Sequence, residues 1–229
     1  MKNLAIIPAR GGSKRIPRKN IRDFLGFPII KYSIDAAIKS KCFDEVMVST
    51  DDREIAEVAI LYGAKIPFMR SDKNSDDKST LTDVLLEVVG EYKMIGKNFG
   101  CICCILPASP LINAKQIKDS FNILKTNNAD ALIPVVQYGY PIQRAFRIKN
   151  DKLKMICPEN INKNSQNLEL TYHDCGQFYI LKTANFLKEK KIFAKKSVPF
   201  VMNELQVQDI DNEDDWKIAE FKYKINKNL

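Results

Sequence analysis

Two short segments carry residue types suited to handling a charged phosphate compound. The first is Pro8-Ala9-Arg10-Gly11-Gly12-Ser13-Lys14-Arg15-Ile16-Pro17-Arg18-Lys19-Asn20, which follows directly on the apolar run Leu4-Ala5-Ile6-Ile7. Paired glycines let backbone amides approach an anion closely, and Arg10, Lys14 and Lys19 supply positive charge. At ~4 Å and an effective dielectric near ~20, one contact between lysine and phosphate is worth about 4 kcal/mol before desolvation is subtracted, so several would hold a triphosphate. The glycine spacing fits neither a P-loop nor a dinucleotide-binding fingerprint. The second segment is Asp209-Ile210-Asp211. In an extended chain alternate residues share a face, so both carboxylates are placed to ligate one hard cation, with Mg2+ the best fit. Such an ion neutralises phosphate oxygens and stabilises charge during attack at phosphorus. Asp211 and its neighbours also suit the cap of a helix starting near Asp214.

These segments need a frame, and the sequence supplies one. Leu4 to Ile7, Glu45 to Ser49, Cys101 to Leu106 and Ala131 to Val136 are short apolar runs that read as strands buried on both faces. Between them Pro28 to Lys39, Asp52 to Tyr62, Thr80 to Met94 and Ala114 to Lys125 carry helical spacing. That alternation predicts an α/β fold: a Rossmann-like, mostly parallel sheet flanked by helices. Ligands of such sheets sit at the carboxyl ends of the strands, where the Gly-Gly loop falls. Residues 138–170 are polar and aperiodic, which predicts a protruding arm or lid on a single domain spanning 1–229. Tyr172 to Leu181 reads as a further strand, Ala184 to Lys190 as a short helix and Asp214 to Lys224 as a closing helix. In Ser49-Thr50-Asp51-Asp52, Thr50 or Asp51 suits the cap of the following helix, with Glu54 in its first turn, and neither Asp is taken as catalytic.

Composition narrows the chemistry. With 229 residues, 45% hydrophobic and 28% charged, the chain can bury a proper core. The net charge of +8 points to an anionic partner, yet no basic stripe is interleaved with stacking aromatics, so nucleic acid is not the expected one. One histidine nearly excludes histidine-based metal sites and a serine triad. The six cysteines lack a second CxxC or a nearby histidine and read as buried reduced thiols. The N-terminal apolar run is too short for a signal peptide or a membrane span, so a cytoplasmic protein is expected.

The run from Ile6 to Asn20 resembles the N-terminal signature of the CMP-sialic acid synthetase family, whose members transfer CMP from CTP to an acidic nine-carbon keto sugar. The resemblance implies that Arg10, Gly11, Gly12, Ser13 and Lys14, with Ala9 beside them, line a phosphate site and that Lys19 and Asn20 lie on the nucleotide. It implies cytidine recognition by Arg70 and Ser79, metal ligation by Asp209 and Asp211, and catalytic roles for Arg10, Lys14 and Asp211. Where many members carry Leu-Gln-Pro-Thr-Ser-Pro-Leu, this chain has Ile105-Leu106-Pro107-Ala108-Ser109-Pro110-Leu111, so a polar contact to the acceptor is missing. That points away from ordinary sialic acid.

Tyr140-Pro141-Ile142-Gln143-Arg144-Ala145-Phe146 and Tyr172-His173-Asp174-Cys175-Gly176-Gln177-Phe178-Tyr179 resemble the branch of the family that activates pseudaminic acid. They make Gln143, Arg144, Gln166, His173 and Gln177 the candidate sugar contacts. His173 is also a candidate general base, against a structural role beside Asp174. The branch often shows Arg before Ser-Gln, whereas this chain has Asn164-Ser165-Gln166. Other acceptors stay open: legionaminic acid, N-acetylneuraminic acid or 3-deoxy-manno-octulosonate, as does a catalytically silent nucleotide-binding module. Family members are commonly homodimers, and 138–170 has the length and polarity of an arm crossing to a partner.

Overall fold

The computed structural model describes residues 2–76 and 78–228. The chain begins with β1 (Asn3–Pro8), whose loop leads through a small ribbon, β2 (Asp23–Phe24) and β3 (Phe27–Pro28), into α1 (Ile29–Ser40). β4 (Glu45–Ser49), α2 (Arg53–Leu61), α3 (Leu81–Met94), β5 (Cys101–Ile105), α4 (Ala114–Thr126) and β6 (Ala131–Gln137) follow. The arm holds β7 (Phe146–Lys149) and β8 (Lys152–Met155). After it come β9 (Tyr172–Asp174), β10 (Phe178–Lys182), α5 (Thr183–Glu189), β11 (Ser197–Met202) and α6 (Glu213–Lys227).

The main sheet runs β11-β6-β10-β5-β1-β4, with β9 also paired to β6. β1 pairs parallel with β4 and β5, and β11 parallel with β6, while β10 enters antiparallel between β5 and β6. Five strands therefore point one way and β9 and β10 oppose them, which is the mostly parallel α/β sheet expected. The predicted apolar strands are all present, and β4 is buried at every residue. Side chains such as Ile7, Ile34 and Ile117 fill the layer on one face; Leu85, Tyr92 and Phe186 fill the other.

Three features depart from the sequence reading. The run Tyr172 to Leu181 is two strands: Gly176 takes φ +58°, a left-handed turn that breaks the ladder between β9 and β10. β11 carries no clear apolar signal because it lies at the sheet edge with alternating exposure and a proline in it. The helix cap after β4 is Asp52, whose side chain accepts from Ile55 N at 3.0 Å, one residue beyond the expected Thr50 or Asp51. The cysteines are free, but only Cys103, Cys104 and Cys175 are fully buried, and burial pushes the Cys175 thiol up to about 12.

At the amino end of the sheet Glu45 is buried among three donors: Tyr92 Oη at 2.5 Å, Lys97 Nζ at 2.8 Å and Lys65 Nζ at 3.2 Å. Desolvation alone would raise this carboxyl, and the hydrogen bonds from Lys97, Tyr92 and Lys65 outweigh it and hold it below the ordinary value. A depressed folded value adds stability that is present above the unfolded value and lost as pH falls through the folded one. Glu45→Gln is therefore expected to destabilise the fold by about 2 kcal/mol at neutral pH. Urea unfolding should show the gap from wild type closing in acid.

Candidate active site

The carboxyl ends of β1, β4, β5, β6 and β11 all open onto one edge, so their following loops meet there. A third apolar cluster fixes those loops. Ile16 from the Gly-Gly loop, Phe24 from the ribbon, Ile210, and Trp216 from α6 pack together almost fully buried. Phe24, Tyr32, Trp216 and Tyr223 stack edge to face, with centroid separations of 5.3–5.8 Å. Ile210 is thus an anchor with Asp209 and Asp211 on either side of it.

Arg10, Ser13, Lys14, Arg15, Lys19 and Asn20 line one cavity of about 190 Å3, with Pro8 and Pro107 also in its wall. The loop is braced from behind. Asn20 Nδ2 donates to Arg10 O at 3.0 Å, and Arg10 Nη1 donates to Asp76 O at 3.2 Å. Arg18, at φ 55°, is paired with Asp52 and Glu54, clamping the loop to the start of α2. Ala9 is not exposed to a ligand through its amide: it is buried, and its N–H continues the ladder to Ser49 O at 2.9 Å.

The two glycines have different jobs. Gly11 donates its amide to Asp51 Oδ1 at 3.0 Å, and an added Cβ would meet Asp52 Oδ2 at 2.6 Å. Its N–H is held within the protein in place of the phosphate role expected of it, and its size is demanded by the helix cap. Gly12 has nothing within 4 Å of an added Cβ. Gly11→Ala is accordingly expected to cost about 1 kcal/mol or more through the displaced cap. Gly12→Ala is expected to fold with wild-type stability. Paired thermal melts separate the two.

Lys19 joins the basic loop to the acidic segment. Its Nζ donates to Ile210 O at 2.7 Å; burial pushes the ammonium down, while the Asp211 and Asp209 charges oppose that shift. Arg15 pairs with Asp211 at 2.6 Å. Desolvation first, and then the Asp211 charge, raise Asp209 above its ordinary value. Two mutually repelling carboxylates beside a cavity lined by basic side chains are a fit for a hard cation, since Mg2+ sites commonly use one or two carboxylates plus phosphate and water. Among the described residues no group of three or more His, Cys, Asp or Glu side chains is placed to hold a metal. The expected alternation begins at Val207, because Glu204–Gln206 forms a 3-10 turn. Asn212, not Asp211, caps α6, with Asp215 completing the box.

His173 lines a second cavity of about 480 Å3 together with Asp174, Asp209, Asp211 and Lys222. Its ring lies 4.7 Å from that of Tyr138, and Nδ1 is 2.9 Å from Asp174 O. Arg70 is 7% exposed and donates to Ser49 Oγ at 3.0 Å and Ser49 O at 2.5 Å, beneath the same edge. Ser79 bonds within its own loop, to Lys73 O and Asp76 Oδ1. The other sugar candidates are not gathered here. Gln143 donates to Glu169 O at 2.9 Å and Arg144 to Lys163 O, both inside the arm, and Gln166 lies in the arm's 3-10 turn Ser165–Asn167. Gln177 is 1% exposed, and its amide donates to Gln208 O at 3.2 Å, so it holds the segment before Asp209 instead of offering an open face to a sugar.

Sequence reasoning missed Asp215 and Lys222, which touch that segment from α6, and Asp174, which accepts from Gly176 N and from Tyr179 Oη at 2.6 Å. The Asn212 to Asp215 spacing was a readable capping box; Lys222 left no local signal.

The basic loop and the acid pair thus lie on one sheet edge and line two cavities joined by Lys19 and by the Arg15–Asp211 pair, an arrangement suited to nucleotidyl transfer. Residues 4–221 match the family model described as Cytidylyltransferase, and the chain belongs to that family. It is 43% identical over 227 residues to a pseudaminic acid cytidylyltransferase of Campylobacter jejuni, covering 99% of this chain and 98% of that one. It is 29% identical to the CMP-N,N'-diacetyllegionaminic acid synthase of Legionella pneumophila, again over 99% and 98% of the two chains. The fold matches a CMP:2-keto-3-deoxy-manno-octonic acid synthetase complexed with CTP along the whole of both chains, with a TM-score of 0.68 at 16% identity. Among the described residues no helix is long and apolar enough to cross a membrane.

Proposed function

We propose that this chain transfers CMP from CTP to the anomeric hydroxyl of pseudaminic acid, giving CMP-pseudaminic acid and pyrophosphate. The observation that carries the reading is the end-to-end likeness to the Campylobacter jejuni enzyme, on a chain whose basic loop is bonded through Lys19 to the segment bearing the acid pair. Arg10, Ser13, Lys14, Lys19 and Asn20 take the phosphates, and Arg70, bonded to Ser49 beneath the edge, and Ser79, bonded within its own loop, support the cytidine side. Asp209 and Asp211 would hold Mg2+, which supplies positive charge to the phosphate oxygens. The sugar enters the larger cavity beside His173.

The C2 hydroxyl oxygen forms a bond to the α-phosphorus of CTP. The bond from that phosphorus to the bridging oxygen of the β-phosphate breaks in line, the pair of electrons leaves with pyrophosphate, and the hydroxyl proton passes to water. Arg10 and Lys14 orient the triphosphate and stabilise the charge that moves onto the leaving oxygen.

The larger cavity is lined by Asp174, Glu204, Asp209, Asp211 and Asp215 against Lys222 while the acceptor is an anion, so further positive charge is needed to complete the site. The arm fits that need. Its hairpin turns at Asn150 and Asp151, both left-handed, and bears Arg147, Lys149, Lys152 and Lys154. It also exposes Tyr140 (89%), Ile148 (74%) and Leu153 (64%). We read 138–170 as the arm of a homodimer built on one domain, working in the cytoplasm where CTP is available. Light scattering that gives a monomer would remove the arm's role. Mass spectrometry of the product formed from CTP, Mg2+ and pseudaminic acid tests the reaction: a CMP-linked sugar supports it. CTP binding without turnover on any acidic nine-carbon sugar would leave a silent nucleotide-binding module.

A further inference from the structure

The segment from Val207 to Asp211 is a strap held along its length by side chains from other elements. Lys19 donates to Ile210 O, Gln177 donates to Gln208 O, and Asp211 N donates to Asp215 Oδ2 at 3.0 Å. Lys222, on α6, grips it as well: its Nζ donates to Val207 O at 2.7 Å and to Gln208 Oε1 at 3.1 Å. Asp215 and Lys222 are seven residues apart, two turns of one helix, and so lie on one face. Their separation of about 10 Å along the axis spans nearly the length of four extended residues, about 13 Å. The strap therefore lies along α6, fastened at Asp211 by Asp215 and at Val207 by Lys222, with Ile210 buried between.

We propose that Lys222 is a positioning residue for the cation site. By fixing Val207 it presents Asp209 and Asp211 together to one hard cation, in place of a loop whose two carboxylates would swing apart. The proposal rests on the reading of Asp209 and Asp211 as the cation's ligands. Lys222 lines the larger cavity as well, so a direct contact to the sugar is the competing role that the test must separate.

The test measures Mn2+ affinity directly, by electron paramagnetic resonance of free Mn2+, with CTP present and no acceptor, for the wild type, Lys222→Met, Lys222→Arg and Asp211→Asn, against CTP alone. Lys222→Met keeps the apolar stem and is first shown to fold by circular dichroism. It is expected to weaken Mn2+ about tenfold, the usual effect of losing a residue that orients a metal ligand. The Mg2+ concentration for half-maximal rate should rise by a similar factor, with kcat at saturating Mg2+ and KM for the sugar little changed, and Lys222→Arg should restore most of the affinity. Unchanged Mn2+ affinity in Lys222→Met, or a rise confined to KM for the sugar, overturns the proposal while the carboxylate reading stands. Wild-type Mn2+ affinity in Asp211→Asn overturns that reading and the proposal with it.

Discussion

Asp211→Asn is expected to lower pyrophosphate release between about 100-fold and 1000-fold, the range lost when one preorganised charge-stabilising group is removed from an active site. The substitution keeps the shape of the side chain and removes one negative charge. Its structural cost is small: the pair with Arg15 lies at the surface, with 70% and 38% of the two side chains exposed, where such pairs are worth about 1 kcal/mol or less. The contact that fixes Asp211 in place is its backbone N–H to Asp215, which the substitution leaves alone. Activity and melting temperature should therefore separate, with the first nearly lost and the second within a few degrees of wild type. An active Asp211→Asn enzyme would remove this carboxylate from the reaction.

Lys19→Met is expected to cost about 100-fold in kcat/KM for CTP, with part of the loss in kcat. Lys19, like Arg15, lines the cavity proposed for the phosphates and also bonds the strap, at Ile210 O. Its ammonium lies in the fields of Asp209 and Asp211, so removing it leaves their repulsion offset by the Arg15 pair with Asp211 and no longer by Lys19. Two effects then combine: a phosphate contact is lost and the acid pair shifts. A change confined to KM, with kcat intact, would show that Lys19 only binds nucleotide. Steady-state rates over a CTP series decide between these outcomes.

The parts of the fold that were legible in the sequence are those where local pattern and burial agree. Leu4 to Ile7 and Cys101 to Ile105 lie inside a sheet covered on both faces, so they read as unbroken apolar runs. β11 and the β7–β8 hairpin were not legible because they meet solvent; β11 is defined by pairing with β6 and the hairpin by two left-handed turn residues. The basic loop was readable because its chemistry lies in consecutive residues. Gly11 was readable as a close approach, but not what approaches it, since Asp52 arrives from the next βα connection. Gln177 reads as a polar residue beside a histidine, and only the turn at Gly176 sends it into the core. Lys222 depends on α6 folding back along the strap, a contact fourteen and fifteen residues away that no local spacing records.

The most direct measurement is continuous pyrophosphate release from CTP and Mg2+ with pseudaminic acid and N-acetylneuraminic acid supplied separately at equal concentration. Release with pseudaminic acid, and little or none with N-acetylneuraminic acid, is the result predicted by the likeness to the Campylobacter jejuni enzyme and by Leu106 and Ala108 standing where the sialic acid motif carries Gln and Thr. Equal release with both sugars, or release with N-acetylneuraminic acid alone, would contradict the proposed acceptor.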